Sequence, residues 1–249
     1  MHTAVHQAFF TLCVNNLKPC WEAPRFVRAK LFVMNYFILS LLLVSGISGC
    51  AQGNSKTNIK EAEVKVGGRC EGCEAIHEST VPFEQLNWVD TLPGFAEGEQ
   101  KLELSGTVYH RDGKTPAKDV VIYIYHTDSQ GLYNNKGNEK GWAERHGNLR
   151  GWIKTNDKGH YKFYTTRPAS YPNSNNPQHI HPTIKEPGYT EYFIDEYVFD
   201  DDPLLTKEQK LNAQNRGGSG ILVPSLVNGT WVAKRDIILG LNVPGYPNR

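Results

Sequence analysis

Apolar and polar positions fall into two regimes along this chain. Near the start, Tyr36 to Val44 is an apolar run broken only by Ser40, followed by the small residues Ser45 to Gly49 and then Cys50. From Lys101 onward the period becomes two. Leu102-Glu-Leu-Ser-Gly-Thr-Val-Tyr109 alternates, as a strand with one buried face does. Val120 to Thr127 is a continuous β-branched and aromatic run, the pattern of a strand buried in a core. Asp128 then opens a Gly/Asn-rich loop that runs to about Leu149. Gly151–Thr155 and Tyr161–Thr166, separated by Asn156-Asp-Lys-Gly159, predict a hairpin. Further strands are predicted at His179–Lys185, Tyr189–Phe199 and Trp231–Leu239, and Thr206–Asn215 is the one short stretch that reads as helix. Several short strands with regular turns and no alternating helices predict an all-β fold, an antiparallel β-sandwich of immunoglobulin-like build.

The early apolar run is too short to span a bilayer, which takes about 20 residues, and reads as the core of a signal peptide. Ile47-Ser-Gly-Cys50 looks like a bacterial lipoprotein processing site, with Cys50 becoming the first residue and carrying the lipid. Arg25, Arg28 and Lys30 would supply its positive region, and a start at Met34 would give a shorter leader. Three segments follow: a leader at 1–49, a lipid-anchored polar tether with a Cys-x-x-Cys segment at 50–100, and the β-sandwich at 101–249. The expected location is outside the cytoplasm, on a periplasmic or outer membrane. The 249 residues, 39% hydrophobic, suffice for one sizeable core. A formal net charge of +1 favours no nucleic-acid partner, so membrane contact rests on the lipid. Gly 23, Pro 14 and Tyr 12 against Met 2 suit a turn-rich β protein. In an exported chain Cys70 and Cys73 read first as a disulfide. A zinc site there would need four ligands, with only His77 nearby, and a thioredoxin-like redox site would need a βαβ setting.

Candidate chemistry centres on His179-Ile-His181. In a strand, residues i and i+2 share a face, so both imidazoles can reach one ion. Pro177 biases Asn176 before it toward an extended backbone, and Tyr171 in Pro-Ala-Ser-Tyr-Pro can bring a phenol to the same place. A phenol with a pKa of ~10 ionises at neutral pH only beside a strong Lewis acid. A hard ferric ion answers that need, whereas ferrous oxygenases more often show two His and one carboxylate. His179-x-His181 followed by Glu186 superficially resembles a cupin motif, but a cupin needs a later histidine and none follows His181.

Taken in order, Leu104-Ser-Gly-Thr-Val, Val120-Val-Ile-Tyr-Ile-Tyr, Gly131-Leu-Tyr133, Leu149-Arg-Gly-Trp, Thr155 to Phe163, Pro168-Ala-Ser-Tyr-Pro172 and Pro177-Gln-His-Ile-His181 resemble the intradiol ring-cleavage dioxygenases, the group of protocatechuate 3,4-dioxygenase and catechol 1,2-dioxygenase. The resemblance covers roughly Leu102 to Leu239 and implies a Fe(III) cofactor with Tyr133, Tyr171, His179 and His181 as ligands. It implies a catechol-type substrate that displaces Tyr171, reacts with O2, and is cleaved between its two hydroxylated carbons to a cis,cis-muconate-type diacid. Residues 51–101 are short for the helical dimerisation domain of catechol-type enzymes, which makes the compact protocatechuate type the better analogue; the oligomeric state is left open. The sequence departs from the family where an Arg near the substrate, three residues before the first His ligand, is replaced by Asn176, and Glu196 falls near a family Gln. Slow turnover of simple catechols, or a substrate that supplies its own compensation, is the expected result, with Arg150 and Arg167 as candidate replacement cations that nothing in the sequence places. The reading from another class is a lipid-anchored, non-catalytic β-sandwich that binds a ligand or partner.

Overall fold

The computed structural model describes residues 62–98 and 100–248. The stretch expected to be a leader, Cys50 with its expected lipid, and the first part of the expected tether lie outside the described residues. No helix among the described residues is long and apolar enough to cross a membrane.

The alternating stretch forms β2 (Lys101–Tyr109) and the continuous apolar run forms β3 (Val121–His126). They sit in different sheets. In the first, β2 pairs antiparallel with β5 (His160–Thr166) and parallel with β11 (Thr230–Lys234), while β1 (Val89–Thr91), β10 (Ser225–Val227) and β12 (Ile237–Ile238) complete it. In the second, β3 lies between β4 (Arg150–Lys154) and β6 (His179–Lys185), and β7 (Tyr192–Phe193), β8 (Tyr197–Phe199) and β9 (Ile221–Leu222) extend it. The central ladders are antiparallel, as expected; β1–β5, β2–β11, β2–β12 and β8–β9 are parallel, so both sheets are mixed. Leu102, Leu104, Tyr161 and Phe163 from one sheet meet Ile122, Ile124, Ile180, Ile184 and Phe199 from the other in a fully buried core.

Three expectations change here. The predicted hairpin does not form. The Asn156 side chain caps the amides of Lys158 and His160 in a tight turn, but the strands on either side, β4 and β5, enter different sheets. Periodicity identifies a strand without choosing its partner. The segment predicted at Tyr189–Phe199 is split, because Ile194, Asp195 and Glu196 leave the ladder between β7 and β8. The boundary at Lys101 falls inside the folded unit. β1 pairs with β5, Leu92 is buried in the main core, and Ala75 and Ile76 cover Val121 and Tyr123 on the outer face of β3. That cover is why β3 reads as an unbroken apolar run: both of its faces are shielded. The predicted helix is present as α2 (Lys207–Leu211), started by a capping box between Thr206 and Gln209. A single turn, α1 (Ala143–His146), lies in the Gly/Asn-rich loop.

His126 ends β3 fully buried. Its Nδ1–H donates to the Thr127 carbonyl, and Nε2 accepts from the Thr165 hydroxyl. Burial holds it neutral, lowering its pKa from 6.5 to about 4. His146, stacked beneath Tyr125, is lowered to about 4 by the same cause. Between these values the unfolded chain binds protons that the folded chain refuses. The contribution of these two histidines to the stability of the metal-free protein is therefore expected to fall as pH drops from 6.5 toward 4 and to level off below. His126 contributes roughly 3 kcal/mol of that loss. Urea unfolding at pH 7, 5 and 4 measures it, and His126→Asn should flatten the dependence; an unchanged slope would refute the assignment.

Candidate metal centre

The histidines owe their placement to β6. Ile180 and Ile184 point into the core, so the strand's alternation turns His179 and His181 to the outer face of the second sheet. β3 and β8 flank the strand, with Tyr125 opposite His181 and Val198 opposite His179. Continuing that ladder one step places Glu196 across from His181, where His181 Nδ1 donates to Glu196 Oε1 at 2.9 Å. The Tyr125 ring stacks on His181 with centroids 4.5 Å apart. His179 Nδ1 donates to the Pro177 carbonyl at 2.6 Å. Each ring thus has Nδ1 occupied and Nε2 free to donate a lone pair, the arrangement that metal-binding histidines generally show.

The tyrosines come from two loops that are fastened together. After β3, the Asp128 carboxylate caps the amides of Gln130 and Leu132, closing a turn that aims Tyr133 back over the sheet. Thr127 donates its hydroxyl hydrogen to the Ala169 carbonyl, and Ala169 N–H reaches the Asp128 carbonyl, which draws the Tyr171 loop alongside. Gly131, at φ 78°, lets the two loops touch, since a Cβ there would strike the Ser170 carbonyl.

These four side chains converge. Tyr133 Oη lies 2.6 Å from Tyr171 Oη and 2.9 Å from His181 Nε2, and Tyr171 Oη lies 3.0 Å from His179 Nε2. Two donors each about 2 Å from one ion, at right angles to one another, are about 2.8 Å apart. The spacing and the donor set, two phenols and two imidazoles, therefore fit a single hard, strongly acidic metal ion. His179, His181 and Glu196 also offer ligand atoms within 4.8 Å of one another. A two-histidine, one-carboxylate triad fits less well: Glu196 meets His181 on Nδ1, while Nε2 faces the tyrosines.

Burial raises the pKa of Tyr133, as do its hydrogen bond to Tyr171 and the charge that group would carry; burial raises that of Tyr171 too. Both phenols stay protonated at neutral pH unless a Lewis acid takes the proton's place. Burial lowers the pKa of His179, with His181 adding to the effect, so the imidazole keeps its lone pair. Burial opposes ionisation of Glu196, but the hydrogen bond and charge of His181 outweigh it and hold the carboxyl below its usual range.

A cavity of about 530 Å³ opens beside the cluster, lined by Tyr171, Asn176, His179, Glu196 and, from α2, Gln209 and Lys210. A smaller one of about 220 Å³ lies against Tyr125, His181 and Glu196, walled by Arg69 and Cys70. Asn176 is exposed at the rim of the larger. Arg150 and Arg167, the candidate replacement cations, line neither cavity. Arg150 pairs with Glu78 at 2.7 Å, and Arg167 is held by Asp201 and Gln178. Glu186 lies buried and apart from the site, accepting from the hydroxyls of Tyr192 and Tyr246. Cys70 and Cys73 form a disulfide. Tyr125 is the site residue that sequence reasoning missed, and its signal was available only as the register of β3 against β6.

The sequence model of a family described as "Dioxygenase" (Dioxygenase_C) matches residues 84–217, which contain the two tyrosines, both histidines, Asn176 and Glu196. Catechol 1,2-dioxygenase of Candida albicans is 30% identical over 105 residues, 36% of this chain and 33% of that protein. Catechol 1,2-dioxygenase 1 of Acinetobacter lwoffii is 27% identical over 144 residues, 48% of this chain and 45% of the relative. The chain thus spans between a third and under a half of the length of these relatives. Among solved structures, the dioxygenase domain of a dioxygenase–carbohydrate-binding fusion from Streptomyces sp. SirexAA-E superposes with a TM-score of 0.49 and 19% identity, over 65% of this chain and 95% of that one. With its family match running over more than half of the sequence and through all four converging side chains, this chain belongs to the intradiol dioxygenase family.

Proposed function

We propose that the protein is an Fe(III)-dependent intradiol dioxygenase that cleaves a catechol-type ring between its hydroxylated carbons, both atoms of O2 entering a cis,cis-muconate-type diacid. The observation carrying this reading is the convergence of Tyr133, Tyr171, His179 and His181 within hydrogen-bonding distance, beside a cavity large enough for one aromatic ring. When bound there, ferric iron would supply the Lewis acidity that ionises the phenols and draws electron density from an ionised diol. The chain's own residues do the rest. His179 and His181 hold the metal from a strand that cannot shift without disturbing the core. The Tyr133 backbone passes close beside Gly147 and its ring packs against Tyr125, so Tyr133 serves as the fixed phenolate. Tyr171 faces the larger cavity, so it is the group placed to give way to an incoming diol and accept one of its protons. Asn176 meets the substrate at the rim with an amide and no charge.

We also propose that the enzyme works outside the cytoplasm, anchored by a lipid on Cys50. Support comes from Ile47-Ser-Gly-Cys50 and from the Cys70–Cys73 disulfide, a bond that persists in oxidising compartments.

Metal analysis and a visible spectrum test the reading. The purified chain should carry about one iron, since one four-ligand cluster is described, and be red to burgundy from phenolate-to-iron charge transfer. With catechol it should consume O2. A colourless protein holding zinc as its native metal would overturn the proposal. A coloured ferric protein that takes up no oxygen with any catechol would favour the ligand-binding alternative.

A further inference from the structure

His179 and His181 are held from behind by different partners. His179 Nδ1 donates to a neutral backbone carbonyl, that of Pro177, at 2.6 Å. His181 Nδ1 donates to the carboxylate of Glu196 at 2.9 Å. Stacking on Tyr125 sets the plane of the His181 ring to within 15° but leaves it free to turn within that plane. The contact to Glu196 removes that freedom and fixes which nitrogen carries the hydrogen.

Glu196 is suited to this task by its place in the fold. It directly precedes β8, in the register that opposes His181 across the ladder. It also forms part of the walls of both cavities, and its carboxylate has no other ion-pair partner among the described residues. A carboxylate only accepts hydrogen bonds when ionised, so it cannot exchange roles with the ring as an amide could. It also places a full negative charge behind the imidazole, which makes Nε2 a stronger donor.

We propose that Glu196 is a positioning residue that orients His181 and raises its donor strength toward the metal. The inference rests on the ferric reading above. A stronger histidine donor makes the iron less electron-poor, and the phenolate charge-transfer band then lies at higher energy. Removing the charge should shift that band to longer wavelength.

The test uses the full chain as Glu196→Gln and Glu196→Ala, with native-like folding checked by near-ultraviolet circular dichroism. Iron affinity is read by chelator competition and the band by visible absorption. Glu196→Ala should bind iron 10–100-fold more weakly, the usual cost of losing an outer partner of a metal-bound histidine. Glu196→Gln, which retains an acceptor oxygen without the charge, should recover most of that affinity but keep the shift to longer wavelength. Wild-type affinity and an unmoved band in both variants would overturn the assignment. Loss of all iron in the Gln variant would also overturn it, pointing to Glu196 as a direct ligand. A wild-type chain without iron or colour would instead refute the ferric reading itself.

Discussion

His179→Ala is expected to leave the chain folded but nearly free of iron, colourless and without ring-cleaving activity. The substitution removes a donor whose lone pair is already aimed at the cluster, with Nδ1 held by Pro177 and Nε2 3.0 Å from the Tyr171 hydroxyl. Loss of an outer partner alone costs 10–100-fold in metal affinity, and loss of a ligand should exceed that. The fold should persist, because His179 lies on the outer face of β6 while Ile180 and Ile184 carry the packing beneath. Iron analysis beside a thermal melt separates the two effects. Full iron occupancy and colour in the folded variant would show that the metal, if bound, sits elsewhere.

The second large effect concerns Asn176 and runs the other way. A guanidinium is charged at any working pH and offers a rigid fork of donors, while an asparagine offers one amide. Negative charge developing on an ionised diol beside Tyr171 and His179 meets no cation at this rim position, and Lys210, which lines the same cavity, is already paired with Asp200. Neither arginine suggested by the sequence compensates, since Arg150 and Arg167 are committed to Glu78 and Asp201. Arg69 lines the smaller cavity instead. Asn176→Arg should therefore raise oxygen uptake with catechol or protocatechuate, by up to ~10²–10³-fold by analogy with a single oxyanion donor. Because residue 176 is exposed and its hydrogen bond goes to Ser174 and to none of the four converging groups, the iron spectrum should be unchanged. If the native chain already turns these substrates over rapidly and the variant is no faster, charge at this position is not what limits the enzyme.

Much of this was legible in the sequence, and the limits have physical causes. β2, β3 and β6 were visible because alternation and continuous apolar runs record which faces are buried. The four converging side chains were visible because two histidines two apart in a strand must share a face, and the ordered tyrosines completed a family pattern. Pairing was not visible: β4 and β5 look like a hairpin along the chain, yet each finds its neighbours in a different sheet. The contribution of residues 62–100 was hidden because it depends on isolated residues such as Ala75, Ile76 and Leu92, which carry no period. Arg150 and Arg167 were misjudged for a related reason. A charge in a sequence does not announce its partner, and both had one.

A set of candidate donors divided between a sheet and a pair of loops also divides what the fold holds fixed from what it leaves open to change. The histidines are tied to the sandwich, because the strand that carries them is held by Ile180 and Ile184 in the core. The tyrosines ride on surface loops joined to one another through Thr127, Asp128 and Ala169, and loops tolerate changes of length and composition. Changes at residues 128–133 and 168–176 are therefore expected to be tolerated best as a matched pair, while the half of the centre rooted in the sheet stays as it is.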